Sequence, residues 1–242
     1  MANIHRKIGN KVTKINYLGD WGTQFGVLLA GLEKDKELKY QNMGISDLLQ
    51  IYIKSSQLVE EDCNHAETAK NAFYRLENGD KDLLDVWEYC RSITIEELKK
   101  NYAKLNIDFD HYHGESMYRS SKSQNILELL KQKNLTKNQD DGRVVAVLDK
   151  NNVTLVKSDG SSLYISRDVA AAMDRKEQFN FDQMFYVVDN SQGIHFNNLF
   201  EILKKLDCDW SSCCHHIKFG KILGMSTRQG KLFMSYKKLC SF

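Results

Sequence analysis

Asn16-Tyr17-Leu18-Gly19-Asp20-Trp21-Gly22-Thr23-Gln24-Phe25-Gly26 is the most informative stretch of this chain. It follows Lys11-Val12-Thr13-Lys14-Ile15, whose alternation predicts a strand with one buried face over residues 12–17. Gly19 and Gly22 bracket Asp20 and Trp21 and let the backbone turn sharply as the strand ends. An apolar helix is predicted over residues 24–32. Such strand–turn–helix junctions hold ligands in α/β proteins, and they also occur with the tryptophan filling the core.

Upstream, Ile4 and Ile8 stand at helical spacing, and Gly9-Asn10 closes that helix. Downstream, residues 46–105 carry apolar side chains at three- and four-residue intervals and read as a helical block. Asn78-Gly79-Asp80 breaks it, and Ser92 or Thr94 is the expected cap of a further helix. Residues 109–113 read as a short strand, 123–133 as an amphipathic helix, and 143–148 with 152–157 as a hairpin. Residues 162–166 read as extended, with Asp168 starting a helix over 169–176. Residues 182–189 form a near-continuous apolar run, the pattern of a central strand covered on both faces. A helix over 198–206 and a strand over 216–222 follow. Strands interleaved with helices predict a mostly parallel α/β sheet, with the helical block and hairpin as insertions.

The 242 residues suffice for one large or two small domains, and 42% hydrophobic with 27% charged residues is globular composition. Lys+Arg 34 against Asp+Glu 32 gives a net charge of +2, so no strongly basic field announces nucleic acid. A local basic patch would still serve RNA phosphates. No apolar stretch approaches the ~20 residues of a membrane-spanning helix. The six cysteines lack paired metal-site spacing. In Cys208, Cys213, Cys214, His215 and His216, adjacent Cys-Cys and His-His pairs suit tetrahedral chelation poorly, because neighbours on a strand face opposite ways; no metal ligands are assigned. Without a signal peptide, reduced thiols are expected.

Four further strings carry candidate chemistry. Gly114-Glu115-Ser116 sets a carboxylate in a turn just after a strand. Tyr164 and Asp168 lie four residues apart, a phenol and a carboxylate suited to a planar cation, although Asp168 also fits an ordinary N-cap. Ser191-Gln192-Gly193-Ile194-His195-Phe196 follows the apolar strand, where an open α/β sheet holds nucleotides beside a helix N-terminus. Gly224-Met225-Ser226-Thr227-Arg228-Gln229-Gly230 is a glycine-bounded loop with hydroxyls and a cation, a form that can close on phosphates.

In order and spacing these elements resemble the catalytic core of arginyl-tRNA synthetases, particularly the fungal and animal-mitochondrial type. Residues 16–26 are similar to that group's NYLGDWGxQFG, and Tyr112 with Gly114-Glu115-Ser116 to its Y-x-GES. Asp159-Gly160, Ser162-Leu163-Tyr164 and Arg167-Asp168 resemble DGTSLYxTRD, and Gln192 with His195-Phe196 resembles GQxxHF. Phe219-Gly220 with residues 224–230 resembles FG…GMSTRxG, this group's version of the class I KMSKS loop. The likeness covers residues 7–230.

The resemblance implies a class I Rossmann-like parallel sheet, incomplete at its N-terminal side, with helical and small β-hairpin insertions. It implies ATP and Mg²⁺ as reactant and cofactor, L-arginine and tRNA-Arg as partners, a monomer, and a mitochondrial matrix or cytoplasmic location. Glu115, Tyr164, Asp168 and Gln192 are the implied arginine site; His195, Phe196 and Met225 the ATP site; Met225, Ser226 and Arg228 the catalytic loop. Two carboxylates suit a flat guanidinium, each charge-assisted pair contributing about 1.5–3 kcal/mol, whereas a lysine ammonium cannot span them in a plane. Residues 1–230 are expected to form a partial class I catalytic domain, about 40–158 holding the insertions, with 231–242 a divergent tail and the anticodon-binding domain absent. The family's His-x-Gly-His signature and first strand are expected before Met1. Two readings stay open: an arginine–tRNA ligase core, and an impaired fragment that only binds arginine, nucleotide or a partner.

Overall fold

The computed structural model describes residues 1–34, 40–119, 121–158 and 163–220. They fall into two compact units that divide between Ser116 and Met117.

The first unit opens with α1 (Ala2–Lys7), after which Gly9 takes a left-handed φ of +93°. Strand β1 (Ile15–Leu18) starts three residues later than the alternation suggests. It leads through Gly19-Asp20-Trp21-Gly22 into α2 (Thr23–Glu33). Helices α3 (Ile45–Glu61), α4 (Cys63–Glu77) and α5 (Lys81–Lys104) follow, then β2 (His111–Gly114). β1 and β2 pair in parallel with Leu18 opposite Gly114, so both strands end together at one edge. The residues just beyond, 19–20 and 115–116, therefore leave the sheet side by side.

Side-chain caps delimit the helices. Asp62 accepts from the Asn64 amide at 2.9 Å, and Asp80 accepts from the Leu83 amide at 3.3 Å while also bonding Arg75 Nε at 2.9 Å. The break at residues 78–80 thus forms where the sequence placed it. No cap forms at Ser92 or Thr94, because α5 runs on through both. Their hydroxyls bond back to the carbonyls of Tyr89 (2.8 Å) and Cys90 (2.6 Å), which satisfies them inside a continuous helix.

Trp21 is the core plug of this unit. Its ring is 1% exposed and meets Phe73 and Trp87 edge-on at 6.0 and 5.5 Å, over Leu29, Ala72, Leu76 and Leu83. Helix α2 crosses α4 at backbone contact: a Cβ on Gly26 would stand 2.2 Å from the Ala69 carbonyl oxygen. A second cluster of Leu28, Met43, Leu48 and Cys90 lies under α3 and α5.

The second unit contains α6 (Ser121–Gln132), the antiparallel strands β3 (Thr136–Asn138), β4 (Val144–Val147) and β5 (Asn152–Val156), α7 (Tyr164–Phe179), β6 (Met184–Asp189), α8 (Gly193–Lys205) and β7 (Cys214–Phe219). The hairpin is β4–β5; β3 adds a third strand that periodicity did not reveal. β6 and β7 pair in parallel from Met184–Cys214 to Asp189–Phe219. Among the described residues β6 has this one partner, and Val187 is 57% exposed, so the apolar run is not covered on both faces here.

Two helix starts differ from expectation. α7 begins at Tyr164, not at Asp168: Ile165, Ser166, Arg167 and Val169 are all buried, and their packing overrides the local extended preference. α8 begins at Gly193, directly after a 3₁₀ turn (Asn190–Gln192) in which Asp189 accepts from the Ser191 amide at 2.8 Å. On β7 the alternation separates the histidines. His215 stacks on Phe185 at 5.5 Å, and His216 lies over Phe196 at 4.5 Å.

The chain therefore has the expected α/β character, with parallel strand pairs joined through helices and a separate antiparallel three-stranded sheet.

Candidate active site

The turn after β1 meets the turn after β2 through one carboxylate. Asp20 is 7% exposed, and its Oδ1 accepts from the Ser116 amide at 2.9 Å. Its Oδ2 accepts from the Ser116 hydroxyl at 3.0 Å and from Arg91 Nε at 2.7 Å. Arg91 Nη2 also donates to the Tyr112 carbonyl at 3.3 Å, and Trp87 Nε1 donates to the Asp20 carbonyl at 2.7 Å. A buried charge persists only when paired and hydrogen-bonded, and this one is both. Gly114 is required here, since a Cβ on it would sit 2.0 Å from Asp20 Oδ2. Glu115 lies between these two anchored neighbours, opening a 3₁₀ turn (Glu115–Tyr118), and a Cβ on Gly19 would meet its Oε1 at 3.6 Å.

In the second unit, Tyr164 is the first residue of α7 and Asp168 stands one turn on, so both project from the same helical face. His195 reaches them from the first turn of α8. Its Nε2 is 2.7 Å from Asp168 Oδ2, and its ring tilts against Tyr164 at 5.1 Å between centroids. The Asp168 and His195 side chains are 18% and 12% exposed, whereas Tyr164 is 50% exposed and opens the cluster to solvent. A carboxylate keeps several acceptor sites, so Asp168 bonded to one imidazole N–H still accepts from a second donor.

Beneath this cluster, Phe196 is 7% exposed and packs among Tyr186, Phe200 and His216. Its ring shapes the floor under His195. Burial pushes the Tyr186 phenol upward, with the neighbouring Arg175 opposing it. Gln192 is exposed at the N-cap position of α8. At that same helix start, Lys218 Nζ lies 3.7 Å from where a Gly193 Cβ would stand.

Tyr164, Asp168 and His195 are thus brought together, and Phe196 adjoins His195. Gln192 occupies the same helix start, while Glu115 belongs to the first unit. Met225, Ser226 and Arg228 lie outside the described residues, as do Asp159, Gly160 and Ser162. Among the described residues, no group of three or more His, Cys, Asp or Glu side chains is placed to hold a metal ion.

Sequence reasoning missed Arg91 and Ser116 as partners of Asp20, and it missed the bond between His195 and Asp168. An acidic residue in an otherwise apolar turn signals a counter-charge somewhere, but α5 offers many candidates and spacing does not choose among them.

Comparison with known proteins agrees with these motifs. The family model for tRNA synthetases class I (R), catalytic domain, matches residues 1–237. A Bos taurus protein named "Probable arginine--tRNA ligase, mitochondrial" is 42% identical over 236 residues, 95% of this chain and 41% of that protein. The Saccharomyces cerevisiae "Arginine--tRNA ligase, cytoplasmic" is 39% identical over 243 residues, 95% of this chain and 40% of that one. The crystal structure of arginyl-tRNA synthetase from Plasmodium falciparum matches with a TM-score of 0.78 at 29% identity, covering 98% of this chain and 40% of its own. The chain spans about two fifths of the length of these relatives. A match of this extent, on a fold with the family's motifs in order, establishes that the chain belongs to the class I tRNA synthetases of the arginine (R) type, within their catalytic domain.

Proposed function

We propose that this chain is the arginine-recognising core of an arginine–tRNA ligase, which activates L-arginine with ATP and passes the arginyl group to tRNA-Arg. The observation that carries the reading is the half-buried cluster of Asp168, His195 and Tyr164, a carboxylate oriented by an imidazole beside a phenol. A guanidinium offers donors in a plane, and Asp168 accepts them while Tyr164 covers the flat face. In this reading Gln192, at the start of α8, serves the α-substituents. A neutral isostere such as citrulline would leave the Asp168 carboxylate without its cation, and a site of this kind rejects such an analogue by about 10⁴.

The start of α8, with Lys218 near Gly193, supports the nucleotide half of the reading, since a helix N-terminus with a neighbouring cation favours phosphate oxygens. His195 and Phe196 border that region, and Met225, Ser226 and Arg228 would close on the leaving pyrophosphate. Mg²⁺ would accompany the ATP phosphates in this reading, and no step is assigned to it. We further propose that residues 1–230 form a partial class I catalytic domain, with the α3–α5 block and the β3–β5 sheet as insertions. Relatives carry both mitochondrial and cytoplasmic names, and no described helix is long and apolar enough to cross a membrane.

Titration of the purified chain with L-arginine, L-citrulline and ATP tests the reading. Expected are measurable binding of arginine, none of citrulline, and at least a tenfold loss of arginine affinity in Asp168→Asn. Equal affinity for arginine and citrulline, or an unaffected Asp168→Asn variant, overturns it.

A further inference from the structure

Asp168 Oδ2 and His195 Nε2 stand 2.7 Å apart with both side chains largely enclosed, and Asp168 is also the proposed acceptor of the substrate guanidinium. We infer that arginine and a proton compete for this carboxylate: an imidazolium at His195 is held by the Asp168 charge, and an arginine that takes that charge expels the proton. The inference rests on the proposed arginine-binding reading and adds its regulation by pH.

The chemistry of the contact decides which proton moves. An ionised carboxylate only accepts, so His195 Nε2 carries a hydrogen in this bond and the second, titrating proton belongs to Nδ1. When a guanidinium joins Asp168, one carboxylate serves two cations a few ångströms apart, in a setting where water screens them poorly. The guanidinium keeps its charge at every accessible pH, so the imidazole is the partner that gives way. The Nδ1–H bond breaks, its electron pair stays on nitrogen and the proton leaves to solvent. The neutral ring keeps its Nε2–H bond to Asp168.

Two features of the surroundings act in the same direction. His195 is the third residue of α8, and the positive end of a helix dipole disfavours an added cation. Lys218 Nζ, near Gly193 at that helix start, brings a like charge from β7. The remaining neighbours do not supply the switch. Tyr164 lies against the His195 ring and Tyr186 lies behind Phe196, and phenols stay neutral below about pH 9. Asp174, the next acid on α7, is engaged by Tyr118 and Lys122, and Asp189 at the end of β6 accepts from the Ser191 amide. Arg167 and Arg175 on α7 stay charged throughout. Among the described groups around Asp168, that leaves His195 and His216 to change charge between about pH 5 and 8. The Phe196 ring stands between those two, 5.4 Å from His195 and 4.5 Å from His216.

Calorimetric titration of the full chain with L-arginine, in pairs of buffers that differ in ionisation enthalpy, counts the protons. Expected is release of roughly half to one proton per arginine at pH 6 and about none at pH 8, with arginine binding ~3–10-fold weaker at pH 5.5 than at pH 7.5. NMR of the imidazole should show His195 turning from charged to neutral as arginine is added at pH 6. His195→Gln keeps an N–H donor without a titrating nitrogen, and its arginine affinity is expected to change less than about twofold between the two pH values. His216→Phe is expected to keep the parent's pH dependence. A parent that releases no proton overturns the competition, as does a His195→Gln variant that keeps the full dependence. A dependence lost in His216→Phe overturns it too, by moving the proton to His216. Asp168→Asn separates this failure from that of the site: if it loses arginine while the parent releases no proton, the site reading stands and the competition falls. If Asp168→Asn binds arginine as the parent does, the site reading falls and takes the competition with it.

Discussion

His195 Nε2 lies 2.7 Å from Asp168 Oδ2, and the two come from helices whose residues are 27 positions apart in the chain. The bond holds the carboxylate in one orientation on the face of α7 that also carries Tyr164. It makes His195 a partner of the proposed guanidinium acceptor as well as a border of the proposed nucleotide region.

That relationship predicts a graded series. His195→Phe removes the donor while keeping an aromatic ring against Tyr164, and it is expected to weaken L-arginine binding about tenfold, as for a lost hydrogen bond to a charged group. His195→Gln retains an N–H donor on a flexible stem and is expected to stay within about threefold of the parent. Calorimetric or NMR titration reads both. Equal affinities in His195→Phe and the parent would remove His195 from the arginine site.

Gly26 is where α2 and α4 touch, with a built Cβ 2.2 Å from the Ala69 carbonyl oxygen and 2.8 Å from Phe73 Cβ. Neither backbone nor Cβ can step aside without separating the helices. Gly26→Ala is expected to lower stability by about 1–3 kcal/mol, in spite of alanine's better helix propensity. Urea unfolding should show a lower midpoint at an unchanged slope. A raised midpoint would mean that propensity outweighs the contact.

Ser55 is 1% exposed; its hydroxyl donates to the Val27 carbonyl at 2.6 Å and so accepts from His65 Nε2 at 2.7 Å. That assignment puts the His65 proton on Nε2. Ser55→Ala leaves the imidazole N–H buried without its acceptor and is expected to cost about 1–3 kcal/mol. Ser92→Ala, on the exposed face of α5, is expected to stay within about 0.5 kcal/mol. Similar unfolding midpoints for the two variants would show that the buried bond contributes little.

Burial pushes the Cys90 thiol up to about 11 and the Cys214 thiol up to about 12. Both folded values exceed the ~8.5 of an unfolded thiol, so the unfolded chain releases these protons first. The stability tied to these neutral thiols is complete below about pH 8.5 and is lost as pH rises toward 11 and 12. Urea unfolding at pH 7 and pH 10.5 should therefore show a smaller alkaline loss in Cys90→Ala than in the parent. Thiol reagents at pH 8 should modify exposed Cys63 well before Cys90 or Cys214. An alkaline loss identical in parent and variant would contradict the assignment.

Several elements were legible from residue pattern. The strand before Gly19, the helix after Gly22, the break at Asn78-Gly79-Asp80 and the β4–β5 hairpin all follow local rules of periodicity, glycine and capping. Others were not. Tyr164-Ile165-Ser166 has the aromatic and β-branched character of a strand, yet it opens α7, because burying Ile165 and Val169 outweighs a propensity difference of a few tenths of a kcal/mol. Ser92 and Thr94 have the composition of caps, but their hydroxyls find carbonyls in the preceding turn and the helix continues.

Motif order along the chain by itself determined the family and named Glu115, Tyr164, Asp168, Gln192 and His195 as the residues of interest. Only the tertiary structure decided that His195 bonds Asp168, and that Asp20 anchors Ser116 and is neutralised by Arg91, 71 positions away. The physical reason is one of range. Periodicity and capping are set by neighbours within a turn or two of chain, whereas a hydrogen bond or ion pair depends on a few ångströms of space, which the chain reaches only after helices and strands have packed.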